Sequence, residues 1–479
     1  MTLDPDTCYS AVLARDRRFD GWFFVGVSST GIYCRPVCPV RSPQAKNCTF
    51  YANAAAAEHA GFRPCLRCRP ELAPGHGLLD ASSRLAQAAA RMIEDGFLDG
   101  KNLAELADRV GVTDRHLRRI FETEFGVSLV GFAQTQRLLL AKRLLTDTDL
   151  PMTELALAAG FGSVRRFNDL FRTRYGLNPL QLRKTRATTA SDTLTFELAY
   201  RPPLAWTGVL AFLAHRAIAG VEYIDAQRYT RTLEIEQGTR RLTGWMTVTQ
   251  APHRHTLKVT IPAALQGVIT QVLGRARRIF DTSCRPDLVD AHLGALAADL
   301  PGMRVPGAND GFEIAVRAIV GQQISVAYAR VVLARIAERF GTPMEGAPFD
   351  LHHTFPVASA LANASLEDVV STGIIRIRAQ AIIAIAQEVA AGRIVLEPLV
   401  ALDHTLTALK KIRGIGNWTV QYIAMRALAW PNAFPEGDAV LKKHLGYTDT
   451  KQLTAHAQQW APWRAYATVH LWRRQEEQK

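Results

Sequence analysis

Four cysteines stand in two close pairs, Cys34-x3-Cys38 and Cys65-x2-Cys68, with 26 residues between them. Two short-spaced pairs let four thiolates converge on one tetrahedral Zn2+. The thiolate is also the nucleophilic form of cysteine. Such a cluster is either structural or reactive, and on spacing alone the structural reading is the simpler. Cys8, Cys48 and Cys284 have no comparable partners and are expected to be ordinary buried residues.

A second constellation lies far downstream. Leu409–Thr419 holds Gly414-Ile415-Gly416 between stretches of helical character. Two glycines allow a tight turn and a close backbone approach. The N–H groups opening the next helix can then hold a phosphate. Asp438 follows, 20 residues after Trp418. This is the helix-hairpin-helix pattern, whose downstream Asp is a candidate catalytic residue. Asp438 also reads as a plain N-cap for a helix over 439–445. Glu436 is the rival acid, at a spacing that fits less well.

A third feature is an internal repeat. Glu105-Leu106-Ala107 and Val110-Gly111 match Glu154-Leu155-Ala156 and Ala159-Gly160 at an offset of 49. After a one-residue shift, Leu117, Ile120 and Phe121 match Phe167, Leu170 and Phe171. Each copy reads as a short helix, a turn at Gly111 or Gly160, and a second helix opening near Thr113 or Ser163. This is a helix-turn-helix, whose second helix enters the major groove. Arg115, Arg118, Arg119, Arg165, Arg166 and Asn168 are the outward candidates for reading DNA. The plainer alternative is a solvated Arg-rich face on a helical bundle, and non-specific docking on DNA is another.

Three resemblances sharpen these readings. Gly31-Ile32-Tyr33-Cys34-Arg35-Pro36, Phe50–Ala54 and Gly61–Cys65 resemble the N-terminal domain of Ada-type adaptive-response proteins, over about residues 5–74. The resemblance implies that Cys34 both binds zinc and takes a methyl group from a DNA methyl phosphotriester. It makes Cys38, Cys65 and Cys68 the other ligands. Ala158–Ser163 and Tyr175-Gly176-Leu177-Asn178-Pro179 resemble the AraC-type DNA-binding domain, which implies promoter binding with RNA polymerase as a candidate partner. Residues from about 194 to 475 resemble AlkA-type 3-methyladenine DNA glycosylases. Arg317–Gln322, Gly414–Thr419 and Trp460–Ala467 carry that match.

The third resemblance implies that Asp438 is the catalytic acid residue. It implies that Trp418, Tyr422, Trp472 and Phe212 line a base pocket, and that Gly414 and Gly416 belong to a DNA-holding hairpin. The hairpin is also a candidate monovalent-cation site. Stacked aromatic faces suit a flipped, cationic alkylpurine. Lyase-active relatives carry a Schiff-base Lys where Trp418 stands, so the expectation is a monofunctional glycosylase leaving an abasic site. Two residues depart from the family pattern. Gln323 replaces an apolar wedge, and Ala439 replaces a Tyr, which bears on lesion preference. No Pro-Cys-His-Arg string occurs, so no O6-methylguanine repair is expected. A regulator whose glycosylase half is only a DNA-binding scaffold is the alternative.

These sites need a chain able to build several cores. It has 479 residues, 48% of them hydrophobic, which suits about three domains. The expected class is multidomain, mainly α with α+β parts. It comprises a zinc domain (1–76), a double helix-turn-helix (82–186), a small mixed-sheet domain (193–300) and a helix-hairpin-helix domain (301–479). Strands are expected at 193–200, 229–236, 241–249 and 254–261, and a helix at 204–218. Linkers are expected at Pro74–Gly77 and Thr185–Thr193, with a softer boundary near Pro301–Pro306.

Lys plus Arg number 57 against 44 Asp plus Glu, a net charge of +13, which favours an anionic partner. The segment 160–186 carries seven basic residues against Asp169 alone. No run approaches the ~18 apolar residues of a membrane span, so no membrane partner is expected. The seven cysteines, an odd number, and an N-terminus without a basic region predict a cytoplasmic chain rather than a secreted disulfide framework. Lacking a heptad run, the chain is expected to be a monomer on double-stranded DNA.

Overall fold

The computed structural model describes residues 4–74, 84–183, 192–237, 240–398 and 402–477. Most of the two expected linkers, Pro74–Gly77 and Thr185–Thr193, lies outside the described residues. The chain forms two compact units. One comprises Met1–Pro202, Ala251–Gly274 and Thr282–Cys284; the other comprises Pro203–Gln250, Arg275–Asp281 and Arg285–Lys479.

The first unit opens with a four-stranded sheet: β1 (Phe24–Val27), β2 (Ile32–Cys34), β3 (Cys48–Tyr51) and β4 (Arg63–Pro64), in the order β3-β1-β2-β4. β1 pairs antiparallel with β2 and β3, and β2 pairs parallel with β4. The helix Ala54–His59 is capped by the Asn53 side chain, whose amide donates to the carbonyl of Phe125 at 3.0 Å. The two halves of this unit are thereby tied together.

The repeat appears as two helix pairs, Leu103–Val110 with Asp114–Phe125 and Met152–Ala158 with Val164–Tyr175. Thr113 and Ser163 cap the second helix of each pair through their hydroxyls, as their residue types predict. Asn102 and Glu105 form a capping box on the first. The 19-residue helix Leu129–Asp147 joins the copies. Leu117, Phe121, Phe125 and Phe132 fill one core, with Ile120 only partly buried. Phe161, Phe167, Phe171 and Tyr175 pack in tilted and edge-to-face contacts along the other. Each such buried aromatic stabilises its domain by roughly 1.5–3 kcal/mol. The strands Thr193–Ala199 and Thr256–Pro262 pair antiparallel at the end of the unit.

The second unit sets an antiparallel meander, Glu222–Ile224, Arg228–Gln237 and Arg240–Ala251, among helices. Its first strand was not expected, because three half-buried residues give no period to read. The helix expected at 204–218 spans Trp206–His215. The softer boundary near Pro301–Pro306 falls inside this unit. At its centre the apolar helix Gly311–Val320 packs against Asn417–Arg426. A buried charge network crosses the same region. Arg231 pairs with Glu313 at 2.7 Å, and Arg317 pairs with Glu222 at 2.5 Å and Glu313 at 2.7 Å. Two carboxylates face two guanidiniums, so the charges within this network are matched. Among the described residues no helix is long and apolar enough to cross a membrane.

Candidate functional site

The four cysteines converge. Cys34 ends β2, and β2–β4 pairing brings in the second pair: the amide of Cys65 donates to the carbonyl of Tyr33 at 3.0 Å. All four Sγ atoms lie within 4.8 Å of one another, with Cys38 and Cys65 at 4.0 Å. Tetrahedral zinc with 2.3 Å bonds needs sulfurs about 3.8 Å apart. Backbone amides point at the cluster as they do at bound thiolates. Arg35 N–H donates to Cys68 Sγ at 3.3 Å, and Arg67 N–H to Cys65 Sγ at 3.4 Å. The donor set therefore fits a zinc ion held by four thiolates. The buried Arg35 guanidinium is fixed by Asp20 and by the carbonyl of Cys68, at 3.1 Å. Cys8 and Cys284 are buried, but Cys48 is only half-buried, because β3 lies at the sheet edge and Cys48 opens it.

One buried carboxyl joins this cluster to the second helix pair, and the sequence reading missed it. Glu58 accepts hydrogen bonds from Tyr33 Oη at 3.0 Å, Tyr175 Oη at 3.1 Å and Thr135 Oγ1 at 2.9 Å. Tyr33 precedes Cys34, and Tyr175 ends the helix Val164–Tyr175. Burial pushes the Glu58 carboxyl up to about 7, against the three hydroxyls that favour its charged form.

The helix surfaces expected to meet DNA are open. Arg115, Arg118, Arg119, Arg165 and Arg166 are exposed, and Asn168 is half-buried. Arg118 is held by Asp114 at 2.9 Å, one turn back. A cavity of about 540 Å³ lies between the two copies, lined by Arg118, Arg137 and Arg166 among apolar residues such as Phe161 and Leu170.

In the second unit, Asp438, Trp418, Tyr422, Trp472 and Phe212 come together from three helices and a loop. Trp418 Nε1 donates to Asp438 Oδ2 at 2.8 Å, and Trp472 Nε1 donates to Oδ1 at 3.3 Å. Trp418 stacks on Tyr422 with ring centres 5.3 Å apart. Tyr422 lies 6.0 Å from Trp472, which faces Phe212 at 6.4 Å. Trp418 is half-exposed and the other three rings are buried. Asp438 also caps the helix Ala439–Leu445, accepting from Leu441 N–H at 2.9 Å. Glu436, the rival acid, is bonded by Asn417 Nδ2 at 2.8 Å.

Gln322 Nε2 ties the hairpin down, donating to the carbonyl of Gly414 at 3.0 Å and to Thr419 Oγ1 at 2.8 Å. Gln323 is exposed beside it, in left-handed backbone at φ +52°, and accepts from Arg378 at 3.5 Å. Two arginines that the sequence reading did not single out, Arg216 and Arg426, flank the rings. Arg216 follows Phe212 by four residues at the end of its helix, and Arg426 follows Tyr422 by four. That spacing is the signal that would have found them.

Comparison with known proteins agrees with this layout. Family models match in chain order: the metal binding domain of Ada at 7–71, a helix-turn-helix domain at 106–185, the AlkA N-terminal domain at 195–310, and the HhH-GPD superfamily of base excision DNA repair proteins at 316–453. The "probable bifunctional transcriptional activator/DNA repair enzyme AlkA" of Mycobacterium tuberculosis is 36% identical, over 98% of this chain and 96% of its own. DNA-3-methyladenine glycosylase 2 of Escherichia coli is 34% identical, over 58% of this chain and 96% of its own. Ada of the same organism is 38% identical, over 33% of this chain and 43% of its own. The chain therefore belongs to the family of bifunctional transcriptional activator/DNA repair enzymes, with an Ada-type metal-binding domain and an AlkA-type glycosylase domain on one polypeptide.

Proposed function

We propose that this chain carries two repair chemistries and one regulatory output. At the first site, the Cys34 thiolate attacks the methyl carbon of a DNA methyl phosphotriester. A sulfur–carbon bond forms, the carbon–oxygen bond breaks, and the phosphodiester leaves with the electron pair. The thioether is not readily reversed, so each chain acts once. Zinc, when bound, keeps the four thiolates deprotonated. Methylation of Cys34 removes one negative charge near the DNA backbone, so affinity for DNA rises after transfer. The six outward residues of the repeat, Arg115, Arg118, Arg119, Arg165, Arg166 and Asn168, then hold the promoter, with RNA polymerase as the partner of an activator.

At the second site, a base flipped from the duplex enters between the aromatic rings. Asp438 stabilises the oxocarbenium-like sugar and orients the attacking water. N3- and N7-alkylated purines such as 3-methyladenine are the substrate class, and an abasic site is the product. Gly414 and Gly416 hold the DNA backbone. Gln322 bonds the Gly414 carbonyl, so a monovalent cation beside the hairpin would draw its ligands from neighbouring carbonyls. The chain acts as a monomer.

The observation that carries this reading is the seating of Asp438: both carboxylate oxygens accept from indole N–H groups of the aromatic cluster. A scaffold that only binds DNA needs no such carboxylate, which weighs against the purely regulatory reading. The test is Asp438→Asn, assayed for base release and for binding on DNA containing 3-methyladenine. Base release should fall by several orders of magnitude while binding is kept. Release near the wild-type rate would sink the assignment.

A further inference from the structure

The pocket wall is cationic. Arg216 Cζ lies 3.9 Å from the centre of the Phe212 ring and 5.8 Å from that of Trp472. Arg426 Cζ lies 5.0 Å from Phe212 and 5.7 Å from Tyr422. Two guanidiniums thus sit on the same rings that were expected to stack a cationic base. Arg426 is 5% exposed, and its hydrogen-bond partners among the described residues are neutral oxygens: the carbonyls of Pro306 and Gly307 and, at 2.9 Å, the Tyr422 hydroxyl. Its charge is therefore spent on no carboxylate among these bonds.

Arg216 is placed rather than trailing. Its carbonyl accepts from Arg317 Nη1 at 2.7 Å, and Arg317 is itself held by Glu222 and Glu313. Its guanidinium turns back to donate to the carbonyl of Phe212 at 3.2 Å. The half-buried side chain keeps one side toward the rings. The field is felt in the pocket. Burial pushes the Tyr422 phenol up, yet Arg426 and Arg216 outweigh it and hold the phenol below its ordinary value.

This field acts with opposite signs on two kinds of leaving base. A cationic alkylpurine departs as a neutral molecule, so it needs no stabilisation as it leaves, and its charge is repelled while bound. A neutral damaged purine departs with negative charge building on the ring. A guanidinium beside that ring stabilises the charge where it develops. We propose that Arg216, backed by Arg426, is a specificity-determining residue that stabilises the anionic character of a departing neutral purine. The proposal rests on the reading of the Asp438 pocket as a glycosylase site.

The test compares single-turnover release of hypoxanthine, a neutral base, and 7-methylguanine, a cationic one, by the full chain. Wild type, Arg216→Gln, Arg216→Lys and Asp438→Asn are run side by side. Arg216→Gln should lower the ratio of hypoxanthine to 7-methylguanine release at least tenfold, about 1.4 kcal/mol. Arg216→Lys, which keeps the charge, should restore most of that ratio. A merely structural role would slow both bases by one factor and leave the ratio unmoved, which would overturn the proposal. So would a wild type that releases 7-methylguanine but no hypoxanthine. Release of neither base by wild type, or equal release by Asp438→Asn, would overturn the glycosylase reading itself.

Discussion

The Glu58 carboxyl should make the first unit lose stability as the pH rises from about 5 to 8, and Glu58→Gln should remove that loss. The group is 4% exposed and titrates near 7 in the folded chain, against an ordinary 4.5. Between those values the folded chain binds a proton that the unfolded chain does not. Stability therefore falls with pH across that window. Its contribution is complete below 4.5, fades through 7 and is flat beyond. A difference of 2.5 pH units at 1.36 kcal/mol each gives about 3 kcal/mol in all. Zinc–thiolate bonds respond the other way, weakening in acid. That response is shared by wild type and variant, so it cancels in their difference.

The readout is native-state hydrogen exchange in peptides covering β2, the helix Ala54–His59 and the helix Val164–Tyr175, with zinc in excess. Each protein is compared at matched pH, which removes the intrinsic pH dependence of exchange. The protection of wild type relative to Glu58→Gln should fall by up to about 3 kcal/mol from pH 5 to pH 8. A difference that stays constant over that range would refute the reasoning, because it would mean that Glu58 carries no extra proton when folded. A change confined to β2 would refute only the link through Tyr175.

Four other substitutions have definite outcomes. Gly111 and Gly160 occupy the same turn in the two copies, at φ +84° and +80°. A Cβ at Gly111 meets nothing within 4 Å, whereas one at Gly160 would lie 2.6 Å from Asp99 Oδ1 and 3.0 Å from Arg137 Nε. Gly111→Ala should then cost about 1–2 kcal/mol for the left-handed backbone, and Gly160→Ala at least as much, since the Asp99 and Arg137 side chains must also shift; a smaller loss at Gly160 than at Gly111 in urea unfolding would contradict this. Trp418→Phe keeps an aromatic face but removes the N–H that Asp438 accepts at 2.8 Å. Base release should drop about tenfold or more with DNA binding unchanged. Cys34→Ala should take up no labelled methyl from methylated DNA, and one equivalent of uptake would move the acceptor elsewhere.

What could be read in advance was whatever is local in sequence. The cysteine pairs are short-spaced, the helix pairs repeat at a fixed offset, and the strands over 228–237, 240–251 and 256–262 are long enough to alternate. The sheet β1–β4 was not legible, since strands of two to four residues carry no period. The Glu58 centre was not legible either. Its partners lie 25, 77 and 117 residues away, and only the fold brings three hydroxyls to one carboxyl. Cys48, expected inside, is half-buried because β3 lies at the sheet edge, and nothing in its own neighbourhood marks that edge.

Asp438 shows why two sequence readings of one residue need not compete. Its Oδ1 caps Leu441 N–H at 2.9 Å and also receives Trp472, while Oδ2 receives Trp418. Capping therefore does not divert the carboxylate from the aromatic cluster. It fixes the side-chain rotamer, and the loop before it is pinned by Gln421 on Phe434 N–H at 3.1 Å. A group fixed by the first turn of a helix does not have to be reorganised when a charge develops beside it, which is what electrostatic stabilisation of a transition state requires. The plain role as a cap is thus part of how the same carboxylate would serve the pocket.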